Sequence, residues 1–63
     1  MKHYWLGYDM YNGDEGDDII FGLDAAMARF NAIDVPYKRL DDMDDNVIAE
    51  YKNEEYWAEF DII

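Results

Sequence analysis

Between residues 3 and 11 the side chains alternate with a period of two. Tyr4, Leu6, Tyr8 and Met10 fall on one face, and His3, Trp5, Gly7 and Asp9 on the other. Successive side chains of an extended strand point to opposite sides, so the pattern predicts a half-buried strand, and with it a sheet that needs a cover on one face. Asn12-Gly13 is a turn signal, and the acidic run Asp14, Glu15, Gly16, Asp17, Asp18 follows it.

The cover comes from the next segment. Leu23, Met27, Phe30 and Ile33 recur at helical spacing with Ala26 in the same stripe, and Ala25, Ala28 and Arg29 are good helix formers. Ile19 and Ile20 fit either an earlier helical turn behind the acids or a short strand over 18–21 that ends at Gly22, and the residues leave both open. Asp34 and Pro36 end the helix on either account. Residues 35–40 predict a second strand, with Pro36 marking a strand start or a sheet edge. The polar loop 41–46 comes next, and a hairpin over 47–63 turns at Asn53-Glu54. In its second arm Tyr56, Ala58, Phe60 and Ile62 share one face, and Trp57, Glu59, Asp61 and Ile63 the other. Ala49, Tyr56, Trp57 and Phe60 also fit a helix across 45–60, but the alternation is the cleaner pattern. The expected fold class is α+β: one helix on a three- to four-stranded antiparallel sheet, in the order strand, helix, strand, strand, strand.

The 63 residues allow one domain, 1–63, with a thin core, since a chain of this size buries only about 60% of its unfolded surface. There is no cysteine to staple it. With 51% hydrophobic and 17% aromatic residues, it still has enough apolar area to oppose the ordering entropy, which argues against disorder.

Charge is the unusual quantity. Sixteen acids against five Lys and Arg give −11, whereas solubility of a small domain asks for a net charge of only about 2 to 8 in magnitude. Crowding carboxylates onto so little surface adds self-repulsion, which a basic partner, a divalent cation or a saline environment would relieve. The acids form three groups: Asp14, Glu15, Asp17 and Asp18; Asp41, Asp42, Asp44 and Asp45; and Glu50, Glu54, Glu55, Glu59 and Asp61. The plain reading is a set of solvated loops and an outer sheet face. The sharper reading is mimicry of nucleic acid, because strand residues two apart lie roughly 6.6 Å apart on one side, close to the spacing of successive phosphates. Glu59 and Asp61 have that relation in the predicted last strand, with Glu55 extending the row. Tyr11, Tyr51, Tyr56 and Trp57 are candidate contact anchors, with core packing as the alternative.

In size, acidity and lack of catalytic groups the chain resembles the small DNA-mimic inhibitors of phages and mobile elements, including anti-CRISPR and antirestriction proteins. Leu6-Gly7, then Tyr11-Asn12-Gly13 with Glu15, and later Glu54-Glu55-Tyr56 with Asp61, are similar to short stretches of ArdA-type antirestriction proteins, although the spacing departs from that pattern and those proteins are much longer. The class resemblance implies a basic nucleic-acid-binding partner, a nuclease or CRISPR effector of the host cytoplasm, blocked at its DNA- or guide-binding groove. The expected partner-binding residues are Asp14, Glu15, Asp17, Asp18, Asp41, Asp42, Asp44, Asp45, Glu54, Glu55, Trp57, Glu59 and Asp61. The alternative is a protein–protein module acting through an aromatic face, which would also favour a homodimer.

Other chemistries find little support. A calcium loop starting at Asp9 would place Tyr11, Gly13 and Asp14 where oxygen ligands are needed, and the stretch 13–22 is similar to a single glycine–aspartate calcium repeat that lacks a stacked neighbour. No specific metal or cofactor is expected. Neither Cys, Ser nor Thr occurs, so acyl-transfer triads are excluded, and His3 reads as an ordinary strand residue. Paired carboxylates in so short a chain can hardly build a water-excluding cleft, so no enzyme is expected. Direct nucleic-acid or membrane binding runs against the charge. Lys38 and Arg39, the adjacent bases, are expected to pair with nearby acids.

Overall fold

The computed structural model describes residues 1–59. Strand β1 (His3–Asp9) pairs antiparallel with β2 (Glu15–Phe21), helix α1 (Leu23–Ala32) follows, and β3 (Tyr37–Asp41) and β4 (Val47–Lys52) form a second hairpin that leads into the short helix α2 (Glu54–Ala58). The four strands lie in the order β2-β1-β3-β4, every pair antiparallel. The fold class is therefore the expected α+β arrangement of one main helix on a four-stranded antiparallel sheet.

Alternation in β1 and periodicity in α1 together make the core. Tyr4, Leu6, Leu40, Ala26 and Phe30 are buried, with Tyr8, Ile20, Met27, Ile33 and Ala49 packed against them. Leu6 and Leu40 are fully buried cross-strand partners at the centre of the sheet. Leu23, expected in the helix stripe, is instead 45% exposed.

Two element assignments differ from the sequence reading. The run read as an acidic turn is already strand from Glu15 onward, so the order begins strand, strand, helix. The tight turn at Asn12-Gly13 is closed by Met10 N–H to the Asp14 carbonyl at 2.7 Å, and pairing with β1 then overrides the poor strand propensity of Asp and Gly. Gly22 joins β2 to α1 with φ of 90°, a conformation that favours glycine. The expected last strand over 56–63 begins instead as α2. Asn53 caps this helix by accepting the Tyr56 N–H at 3.1 Å, and Glu54 and Glu55 occupy the first turn, where negative charge is favoured. The rest of that predicted strand, 60–63, lies outside the described residues. Pro36 precedes β3 as a strand start, but β3 is a central strand and not an edge.

Lys38 also departs from expectation. Its side chain is buried and, among the described residues, pairs with no acid; its ammonium donates to the Phe30 carbonyl and, at 3.1 Å, to the Ile33 carbonyl, at the C-terminal end of α1. It also stands 4.6 Å from the centre of the Phe30 ring. Carbonyls at a helix end lack intrahelical partners and favour a cation, so Lys38 ties the helix to the sheet beneath it.

Candidate partner-binding face

With α1 covering one side of the sheet, the strand register fixes what the other side presents. Trp5 lies opposite Ile19 and Asp41, Gly7 opposite Asp17 and Arg39, and Asp9 opposite Glu15 and Tyr37. On β4, Val47, Glu50 and Lys52 continue these rows as partners of Asp41, Arg39 and Tyr37. Among the described residues this open face carries Asp9, Glu15, Asp17, Asp41 and Glu50 against Arg39 and Lys52.

The face is divided in character. At one end His3 and Phe21 meet edge to face, with ring centres 5.6 Å apart and Ile19 well exposed next along β2, while Val47 is exposed on the opposite edge strand, β4. At the other end the carboxylates gather on the β1–β2 side. Asp9 and Glu15 are direct cross-strand neighbours, a like-charge placement that opposes strand pairing. Asp17 accepts a hydrogen bond from the Trp5 indole Nε1–H at 3.2 Å. The absent side chain of Gly7 makes the seat that the Trp5 ring fills, since a Cβ there would lie 2.1 Å from the ring. A cleft of about 470 Å³ beside the seated indole is bordered by Trp5, Gly7, Tyr37, the three carboxylates and one cation, Arg39.

On the β3–β4 side the charges are largely answered. The Tyr37 hydroxyl donates to Glu50 at 2.7 Å, and burial, then this hydrogen bond and the Glu50 charge, push the Tyr37 pKa up. Arg39 Nε lies 3.1 Å from Asp41 Oδ1, an ion pair by distance, yet the N–H is not aimed at the oxygen and neither buried atom has a directed hydrogen bond. The Arg39 guanidinium also sits 5.7 Å from the centre of the Trp5 ring, within range of a cation–π contact.

The residues expected to bind a partner do not form one surface. Glu15, Asp17 and Asp41 belong to the open face. Asp18 points to the helix side and meets Arg29 at 3.5 Å. Asp14 closes its own turn, donating its N–H to Asn12 Oδ1 at 3.0 Å and accepting from Asn12 Nδ2 at 3.1 Å. In the 42–46 loop Asp42 Oδ1 accepts the N–H groups of Asp44 and Asn46 at 2.8 and 2.9 Å, and Oδ2 accepts from Asn46 Nδ2 at 3.1 Å. Those bonds, from Asn46 above all, hold the Asp42 carboxyl below its ordinary pKa. Asp44 and Asp45 are exposed there, at the end of the sheet opposite the 10–14 turn.

Glu54, Glu55 and Glu59 are exposed on or next to α2, so the strand row of carboxylates expected from Glu55, Glu59 and Asp61 is not formed: Glu59 ends a helix with αR backbone, and Asp61 lies outside the described residues. Trp57 serves this helix, donating Nε1–H to the Pro36 carbonyl at 3.0 Å. Tyr56 packs edge to face on Tyr11 and donates its hydroxyl to the Tyr11 carbonyl at 3.0 Å.

The sequence reading left Trp5, Gly7, Asp9 and Tyr37 out of the site. The signal was present for the first three, because the alternation in β1 put them on the face away from Leu6.

Among the described residues no three His, Cys, Asp or Glu side chains are grouped as a metal site requires, and no helix is long and apolar enough to cross a membrane. The chain matches no protein-family model, no curated protein and no solved structure.

Proposed function

We propose that the chain is an acidic binding domain that occupies the nucleic-acid-binding groove of a basic protein, acting as a DNA-mimic inhibitor of a nuclease or CRISPR-type effector. The observation that carries this reading is the open sheet face, where Asp9, Glu15 and Asp17 stand on paired strands around a cleft that holds one cation, Arg39. The strands hold them at fixed spacing, about 5 Å across the pair and roughly 7 Å along β2, a scale comparable to a phosphate array. A fixed array of carboxylates competes with nucleic acid for Lys and Arg, and electrostatic steering makes its association fast and salt-sensitive.

A four-stranded sheet with an aromatic open face is also the geometry on which proteins stack single-stranded bases. Here the carboxylates repel phosphate, so a basic protein surface is the better complement.

A second reading has its own observation. Ile19 and Phe21, 56% and 61% exposed on the same face, supply an apolar contact at its other end. A module working mainly through this patch would not depend on the acids.

Two variants separate the readings. Asp9→Lys with Glu15→Lys should abolish inhibition of the partner, whereas Ile19→Ser with Phe21→Ser should weaken it less. The opposite ranking would replace mimicry by apolar recognition.

A further inference from the structure

We infer that the cleft over Gly7 is a receptor for an arginine side chain of the partner, held flat between the Trp5 and Tyr37 rings and paired with Asp9, Glu15 and Asp17. This rests on the proposed reading of the open face and narrows it from basic surfaces in general to guanidinium. Three features select that group. Three carboxylates from two strands border a cleft of about 470 Å³, which has room for an organic cation. The walls are aromatic, and a planar delocalised cation stacks on indole and phenol faces where a compact, strongly hydrated ammonium does so less well. Finally, the chain sets a guanidinium of its own against the same ring: Arg39 stands 5.7 Å from the centre of the Trp5 ring. Arg39, across from Gly7, itself lines the cleft, so one internal cation that lies beside Asp41 stands against the three carboxylates.

The glycine is what makes the receptor. Any side chain at residue 7 would push Trp5, the indole wall, off its seat, since even a Cβ meets the ring at 2.1 Å. The Trp5 Nε1–H bond to Asp17 at 3.2 Å orients the indole and leaves other lone pairs of that carboxylate for the incoming fork of N–H groups.

The test is an NMR titration of the full chain at low salt with two capped peptides of equal length and charge, one carrying arginines and the other lysines. The arginine peptide should bind roughly five- to tenfold more tightly, shifting the Trp5 indole N–H and the Gly7 amide most. Trp5→Leu should remove that preference while leaving the lysine peptide's affinity nearly unchanged. Equal affinities with shifts on the open face would overturn the arginine receptor and leave the acidic face standing. Shifts confined to the 42–46 loop, or no binding by either peptide, would overturn the receptor and the reading beneath it together.

Discussion

The indole of Trp5 lies over the backbone of Gly7, two residues along the same strand, so closely that a Cβ on Gly7 would sit 2.1 Å from the ring. On the helix side of the same hairpin Tyr8 covers Gly16, its cross-strand partner, and a Cβ there would meet the ring at 2.5 Å. The two glycines thus seat aromatic rings on opposite faces of the sheet, and the rings differ in their freedom to move.

Trp5 borders an open cleft, so Gly7→Ala should displace it at a loss of about 1 kcal/mol or less, partly offset by alanine's smaller loss of backbone entropy on folding. Tyr8 packs against the core. Gly16→Ala should therefore cost about 1–3 kcal/mol, as overpacking does. Urea denaturation ranks the two, and the Trp5 indole N–H resonance should shift only in the first.

Lys38 spends its charge on the end of a helix instead of on an acid. Lys38→Met keeps the packing of its stem but strips the Phe30 and Ile33 carbonyls of a buried donor, so it should destabilise the domain by about 1–3 kcal/mol. Hydrogen exchange should speed up first in the last turn of α1. A variant as stable as the parent would show that these carbonyls find other donors.

Asp42 has a folded pKa held below its unfolded value by the bonds from Asn46 and Asp44. A depressed carboxylate contributes stability that is complete above the unfolded pKa and is lost as pH falls through the folded one. The domain should therefore lose stability below about pH 4 in part through the 42–46 loop. Asp42→Asn should show a smaller drop between neutral and acidic urea midpoints. An identical drop would assign acid sensitivity to other carboxylates.

Tyr37 behaves in the opposite sense. Its pKa is raised, so its contribution is complete below the unfolded value of 10.0 and is lost as pH rises through the folded one. Tyr37→Phe should flatten the alkaline limb of the stability profile and remove a late-ionising phenol from the ultraviolet titration.

Asn53 turns a predicted hairpin into a helix start. Asn53→Ala should cost about 1 kcal/mol and loosen α2 specifically, seen as faster exchange of the Tyr56 amide that its side chain now holds.

What the sequence disclosed follows from which forces act locally. The alternation of Tyr4, Leu6 and Tyr8 and the periodicity of Ala26, Met27 and Phe30 reflect burial itself, so they located the core, the main helix and the fold class. Strand β2 was obscured because Glu15, Gly16 and Asp17 are poor strand formers, held extended by register with β1. Helix α2 was obscured because Tyr56 and Trp57 fit an alternating pattern as well as a helix, while the deciding cap, Asn53, was read as a turn.

The acidic composition was plain from the start. Its division into turn-building acids, such as Asp14 and Asp42, and acids displayed on the face, such as Asp9 and Asp17, depends on cross-strand pairing that no linear spacing expresses. Among the acids, Asp9 was passed over because it stands alone in sequence; only the fold brings it opposite Glu15.

The central claim is that the open face competes with nucleic acid for a basic partner. The direct measurement immobilises the full chain beside an Asp9→Asn, Glu15→Gln, Asp17→Asn variant, captures proteins from cell lysate at low salt, and elutes both with duplex DNA and then RNA. The account predicts a protein that the parent retains, the variant loses and nucleic acid releases. A protein held equally by both chains and indifferent to nucleic acid would contradict it.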